Sequence, residues 1–230
     1  MAGLNRRKAR YDAKVRDFVF MWIAAAATLA AQQSRVVVDN DQVKALSVKV
    51  EPHQKTKLHR HTVNRVMIYL QAGKQNLDYQ DGRRIVLDWK AGEVKWSPAA
   101  GMHVAEITTA DPVTIAEIEI KGAGKQAFAP SALDPVKVDP KHYHVEFEND
   151  QVRVLRVRIG PHESTPRHEH VLNRVVTYLT PQHFRIESAD GHSEESSHEA
   201  GDMSWGERAT HRETNLSDQP FEVVVVELKD

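Results

Sequence analysis

The residues best suited to chemistry in this chain are histidines. His59 and His61 stand two apart in LHRHTVNRVMIYL (58–70), and His168 and His170 stand two apart in PRHEHVLNRVVTYL (166–179). In a β-strand, residues i and i+2 share a face, so each pair presents two imidazoles side by side. A third imidazole follows each pair at nearly the same interval: His103 after His61, and His211 after His170. Two strand-borne imidazoles and a distant third can clamp a divalent transition metal, with iron, manganese, zinc, nickel and copper all open. Three protein ligands leave positions free for substrate, water or dioxygen. A single strand histidine is more often a hydrogen-bonded or exposed residue; the weight lies in the set and its recurrence.

The elements that must position these residues are also written twice. NDQVKALSVKVEPH (40–53) matches NDQVRVLRVRIGPH (149–162), a shift of 109 residues. The same shift relates Asn64-Arg65 to Asn173-Arg174, Asp81-Gly82 to Asp190-Gly191, and Trp96 to Trp205. One residue is then lost, after which His103 matches His211 and Glu119 matches Glu227. A register held this long predicts duplicated domains. Leu46, Val48 and Val50 alternate with polar residues, as do Leu155, Val157 and Ile159, the pattern of half-buried strands. The Asp-Gly pairs predict hairpin turns. Val113 to Ile120 and Phe221 to Leu228 read as closing strands. The expected organisation is a leader (1–31), a first domain (34–121), a connector (122–140) with a short pairing segment near Val136 to Val138, and a second domain (141–230). Each domain reads as a β-barrel or sandwich. His53 and His162 read as turn residues, and the unrepeated His142 and His144 as a surface face.

The composition excludes several classes. The 230 residues carry a net charge of −1, with no basic excess to favour nucleic acid. The absence of cysteine removes disulfides, thiolate metal sites and a cysteine nucleophile. Arg6, Arg7, Lys8, Arg10, Lys14 and Arg16 precede the uncharged FVFMWIAAAATLAA (18–31), the pattern of an export signal. The expectation is a periplasmic or secreted protein, with an uncleaved membrane anchor or a native helix as the other readings of that segment.

The chain resembles the bicupins, proteins with two cupin domains in tandem. The first cupin motif, an HxH pair followed by Glu and a later Gly, is matched by HRHTVNR (59–65) with Gly73, and by HEHVLNR (168–174). The second motif, with Gly, Pro, His and Asn, is matched by GEVKWSPAAGMH (92–103) and GDMSWGERATHRETN (201–215). The resemblance covers about Val36 to Lys229. It implies an all-β fold of two double-stranded β-helix barrels after the leader, with a metal held in each by His59, His61 and His103, and by His168, His170 and His211. The motif glutamate is absent, and Asn64-Arg65 and Asn173-Arg174 occupy its neighbourhood. Arg65 and Arg174 either face the site and hold a substrate carboxylate, or face outward and tie down a surface carboxylate; parity alone does not decide. Glu106, Glu169, Glu207 and Glu213 are nearby carboxylates, with solvated roles the simpler reading.

Two functions follow as expectations. One is a metal-dependent small-molecule oxidoreductase, dioxygenase-like, with a neutral three-histidine site that favours an anionic substrate. The other is a non-catalytic small-molecule or sugar-binding module. No nucleic-acid partner is expected, membrane association would come only through an uncleaved leader, and self-association stays open.

Overall fold

The computed structural model describes residues 33–124 and 129–229. The expected leader lies outside the described residues, as does the middle of the connector. Among the described residues no helix is long and apolar enough to cross a membrane.

The two halves repeat one arrangement of nine strands. In the first, β1 (Gln33–Asp39), β2 (Val43–Val50), β4 (Arg65–Tyr69), β7 (Val94–Ser97) and β9 (Val113–Ile120) form a five-stranded sheet in the order β1-β2-β9-β4-β7. A four-stranded sheet joins β3 (His59–His61), β5 (Gly73–Tyr79), β6 (Arg84–Trp89) and β8 (Ala100–Ile107) in the order β3-β8-β5-β6. In the second half, β10 (Tyr143–Glu148), β11 (Val152–Ile159), β13 (Arg174–Tyr178), β16 (Met203–Gly206) and β18 (Phe221–Leu228) form the five-stranded sheet. Its four-stranded sheet joins β12 (His168–His170), β14 (Gln182–Ser188), β15 (Ser193–His198) and β17 (Ala209–Asn215) in the order β12-β17-β14-β15.

Among the described residues no sheet closes on itself, which corrects the expectation of double-stranded β-helix barrels. Each half is a sandwich of two open sheets. The reason is where the chain changes sheet. It leaves the four-stranded sheet after His61 and enters the five-stranded one at Arg65; it returns between Ser97 and Ala100. Pro98 has no N–H to give a ladder there, and Ala99 N–H is taken by Asn64 Oδ1 (2.8 Å) instead of a strand. At the matching crossing Arg208 N–H goes to Asn173 Oδ1 (3.1 Å).

The repeat extends to irregularities. Both opening strands bulge at the same place, between Val36 and Val38 and between Val145 and Phe147. His53 and His162 both take positive φ in turns, at 57° and 56°. Gly82 and Gly191 do so in the β5–β6 and β14–β15 hairpins, as the Asp-Gly signal requires.

The connector departs from expectation. Pro135–Val138 is a short helix, α1, not a pairing segment. Asp134 caps it by accepting from Val136 N–H (3.1 Å), and Pro135 supplies a preset φ in the first turn. His142 is buried, not on a surface face. Its Nδ1 lies 2.7 Å from Asp139 Oδ2 and its Nε2 2.9 Å from Glu163 Oε2. His144, on β10, is exposed.

The largest apolar core lies between the halves. Strand alternation sends Val66, Ile68, Ala116, Ile118 and Ile120 to the outer face of the first five-stranded sheet. They pack with Val152, Val154, Val175, Val224, Val226 and Leu228 of the second. The opposite faces of these strands look into each sandwich. Polar contacts cross the interface reciprocally: Asn64 Nδ2 donates to Gln151 Oε1 (2.5 Å), and Asn173 Nδ2 to Gln42 Oε1 (2.8 Å). These are the same two repeat positions exchanged, so the halves face each other across a pseudo-twofold axis.

Candidate metal centres

Inside the first sandwich, β3 supplies His59 and His61, and β8 sets His103 directly opposite His59 in the ladder. One ring nitrogen from each lies within 4.8 Å of the others. Their ring centroids are 4.9, 4.5 and 5.5 Å apart. The backbone fixes two tautomers. His59 Nδ1–H donates to Lys57 O (2.8 Å) and His103 Nδ1–H to Gly101 O (3.0 Å), because a carbonyl can only accept. That leaves the Nε2 lone pairs as metal donors. Burial, then the Arg65 charge, pulls the His61 imidazole down to about 3, and burial lowers His103 as well. These rings are neutral near pH 7, the state a metal requires.

The second sandwich repeats the trio in deeper burial. His168 stands opposite His211 in the β12–β17 ladder, and His168, His170 and His211 are each at most 3 % exposed. Their donor nitrogens also lie within 4.8 Å of one another. His168 Nδ1–H donates to Pro166 O (3.0 Å). His170 Nδ1–H donates to Glu227 Oε1 (2.7 Å). Burial, reinforced by His168 and His170, holds His211 down to about 2, and burial keeps His170 well below the ordinary imidazole range. Three imidazoles with their ring nitrogens gathered, two of them in each half tied by Nδ1 to a carbonyl or carboxylate, fit a transition metal in both halves.

Arg65 and Arg174 both face inward. Arg65 NH1 donates to Glu117 Oε1 (2.9 Å) and NH2 to Ser97 Oγ (2.8 Å), so it is tied to a buried carboxylate. Its Nε–H is buried without a partner. Arg174 NH1 donates to Glu207 O (2.5 Å), and burial lowers its guanidinium below the usual range. Of the four carboxylates flagged near the histidines, Glu213 reaches the second centre: Oε1 is 3.7 Å from His211 Nε2, and Oε2 accepts from Tyr143 Oη at 3.3 Å. Glu106 instead pairs with Lys55.

Three participants escaped the sequence reading. Glu117 lies 3.6 Å from His61 Nδ1, and His61, Glu117 and Glu119 bring ligand atoms within 4.8 Å of one another. Glu227, fully buried, joins His170 to Arg153 (2.6 Å) and through it to the connector's Asp134 (2.7 Å). Tyr143 Oη lies 3.1 Å from His168 Nε2. The first two had a legible signal: a carboxylate at inward parity in a largely apolar closing strand, VTIAEIEI or FEVVVVEL. Tyr143 had none, because its partner Ser34 in the first half is a different residue type.

The cavities differ in size. That of the first half is about 500 Å³, with Arg65 and Glu117 on one wall and Val48, Met67, Leu77 and Ile115 on others. The second is about 130 Å³.

No protein-family model matches the chain, and no curated protein does. Solved structures share its fold. Oxalate decarboxylase of Bacillus subtilis is 12 % identical with a TM-score of 0.61 over 87 % of this chain and 73 % of that one. AerE from Microcystis aeruginosa is 12 % identical at 0.61, over 86 % and 98 %. A cupin 2 conserved barrel domain protein from Leptotrichia buccalis is 12 % identical at 0.55, over 87 % and 90 %. The chain therefore shares its fold with these structures, one of them a cupin barrel-domain protein, and carries two candidate histidine metal sites.

Proposed function

We propose that the chain is a metal-dependent oxidoreductase, dioxygenase-like, acting on a small anionic molecule in the first sandwich. The observation that carries this reading is the convergence of His59, His61 and His103 beside a cavity of about 500 Å³ that also holds Arg65. A divalent transition metal held there would supply Lewis-acid and redox chemistry to a bound anion. The ligand set of neutral imidazoles adds no negative charge, which leaves an anionic substrate to balance the ion. On this reading the cupin motif glutamate is missing from both centres, with Asn64-Arg65 and Asn173-Arg174 in its neighbourhood. Arg65 is held by Glu117 and Ser97, so its guanidinium is oriented before a substrate arrives. Apolar walls from Val48, Met67, Leu77 and Ile115 limit water around it.

The test is oxygen consumption by chain reconstituted anaerobically with Fe(II), against a panel of small mono- and dicarboxylates. Uptake with an anionic member, abolished in His59→Ala and shifted in KM by Arg65→Leu, supports the reading. Ligand binding that is unaffected by metal removal, with no oxygen uptake, would replace it with the non-catalytic binding module.

A further inference from the structure

The two centres differ on the inner side of their imidazoles. Tyr143, on β10, is 2 % exposed, and its Oη lies 3.1 Å from His168 Nε2 and 3.3 Å from Glu213 Oε2. His168 spends its Nδ1–H on Pro166 O, so the nitrogen beside Tyr143 is the one with the lone pair for a metal. Two ligands held side by side on one ion at about 2.0–2.2 Å each are roughly 3 Å apart. The phenol oxygen thus already stands where a neighbouring ligand would stand.

The first half has Ser34 at the matching repeat position, and its nearest phenol, Tyr79, comes from β5 and packs its ring 5.2 Å from that of His103. Tyr143 pairs with Val157 as Ser34 pairs with Val48, one repeat earlier. Ser34 is exposed, and it borders an opening of about 590 Å³ that reaches His59 and His61. The connector closes the second half at this wall. Tyr143 N–H donates to Asp139 O (3.1 Å), and Glu169 N–H to Leu133 O (2.8 Å).

Resting on the reading of both trios as metal sites, we propose that Tyr143 is a fourth, internal donor to an ion at His168, His170 and His211. The second centre is then a self-contained ion site that takes no substrate, and the first is the open one. On coordination the phenol oxygen's lone pair goes to the ion and its proton to Glu213 Oε2, the acceptor already in contact; no electron is transferred.

The test uses the full chain carrying His59→Ala and His61→Ala, which leaves only the second centre, loaded with Fe(III). The expected result is a visible iron–phenolate charge-transfer band. Adding Tyr143→Phe, which keeps the buried ring, abolishes the band and weakens iron binding about tenfold or more. Iron bound without that band, or with equal affinity in the Phe variant, overturns the role of Tyr143 and leaves the histidine trio standing. No iron at all in this chain overturns the trio as a metal site, and the proposal with it.

Discussion

At the scale of single residues, the centres depend on what lies behind each imidazole. His170 is oriented by Glu227, which is held by Arg153, which is held by Asp134, all buried. Glu227→Gln removes the charge that fixes the His170 tautomer. Metal affinity at the second centre should fall about 10–100-fold, read by competition with a chelator in the chain lacking His59 and His61. Unchanged affinity would show that Glu227 serves packing alone. Arg153→Met leaves Glu227 and Asp134 as buried charges without their shared cation and should cost about 3–5 kcal/mol, read from urea unfolding of the metal-free chain. His59, His61, His168 and His170 were legible in the sequence because the pattern HxH puts two residues on one strand face, and His103 and His211 because they recur at matching positions of the repeat. Arg65 and Arg174 were legible as residues but not in direction, because the three-residue break after His61 and His170 uncouples their parity from that of the histidines.

At the scale of elements, strand alternation did most of the assignment. It separates Ile115 and Glu117, facing the first cavity, from Ala116, Ile118 and Ile120, facing the other half. Ile118→Ala should therefore cost about 2–5 kcal/mol although no candidate ligand touches it, with metal content per folded chain unchanged. The connector was the least legible element. Pro135 was read as a break when it opens a helix, and the partners of His142 lie on both sides of it in sequence. That cluster carries a pH signature. Lys141, then His142 and the Gly160 N–H, hold the Glu163 carboxyl down to about 2. A carboxyl depressed in the folded state stabilises it fully above the unfolded value of about 4.3 and loses that contribution as pH falls toward 2. The melting temperature of the natural chain should drop more steeply over that window than that of Glu163→Gln. Parallel curves would show that the contacts of Glu163 do not stabilise the fold.

At the scale of the whole molecule, duplication made the fold readable and misled on its closure. The repeat correctly doubles the strands and the bulge of each opening strand, although the register shift between His59 and His61 has no counterpart between His168 and His170; barrel closure depends on ladder bonds between sheets that no local pattern encodes. The largest core belongs to neither half alone. The first half, produced as 33–124, would expose Val43, Val66, Ile68, Ala116 and Ile118 together, a face that should drive association. Size-exclusion chromatography should show dimers or larger species; a stable monomer would contradict the back-to-back core.

The central claim is that each sandwich holds one metal ion on its three histidines. The most direct measurement is metal content per chain by elemental mass spectrometry, on full-length protein purified without a histidine tag and reconstituted anaerobically with Fe(II) or Zn(II). The account predicts about two ions per chain, about one when His59 and His61 are replaced by Ala, and none when His168 and His170 are replaced as well. A natural chain that takes up no metal, or a content indifferent to these replacements, would contradict it.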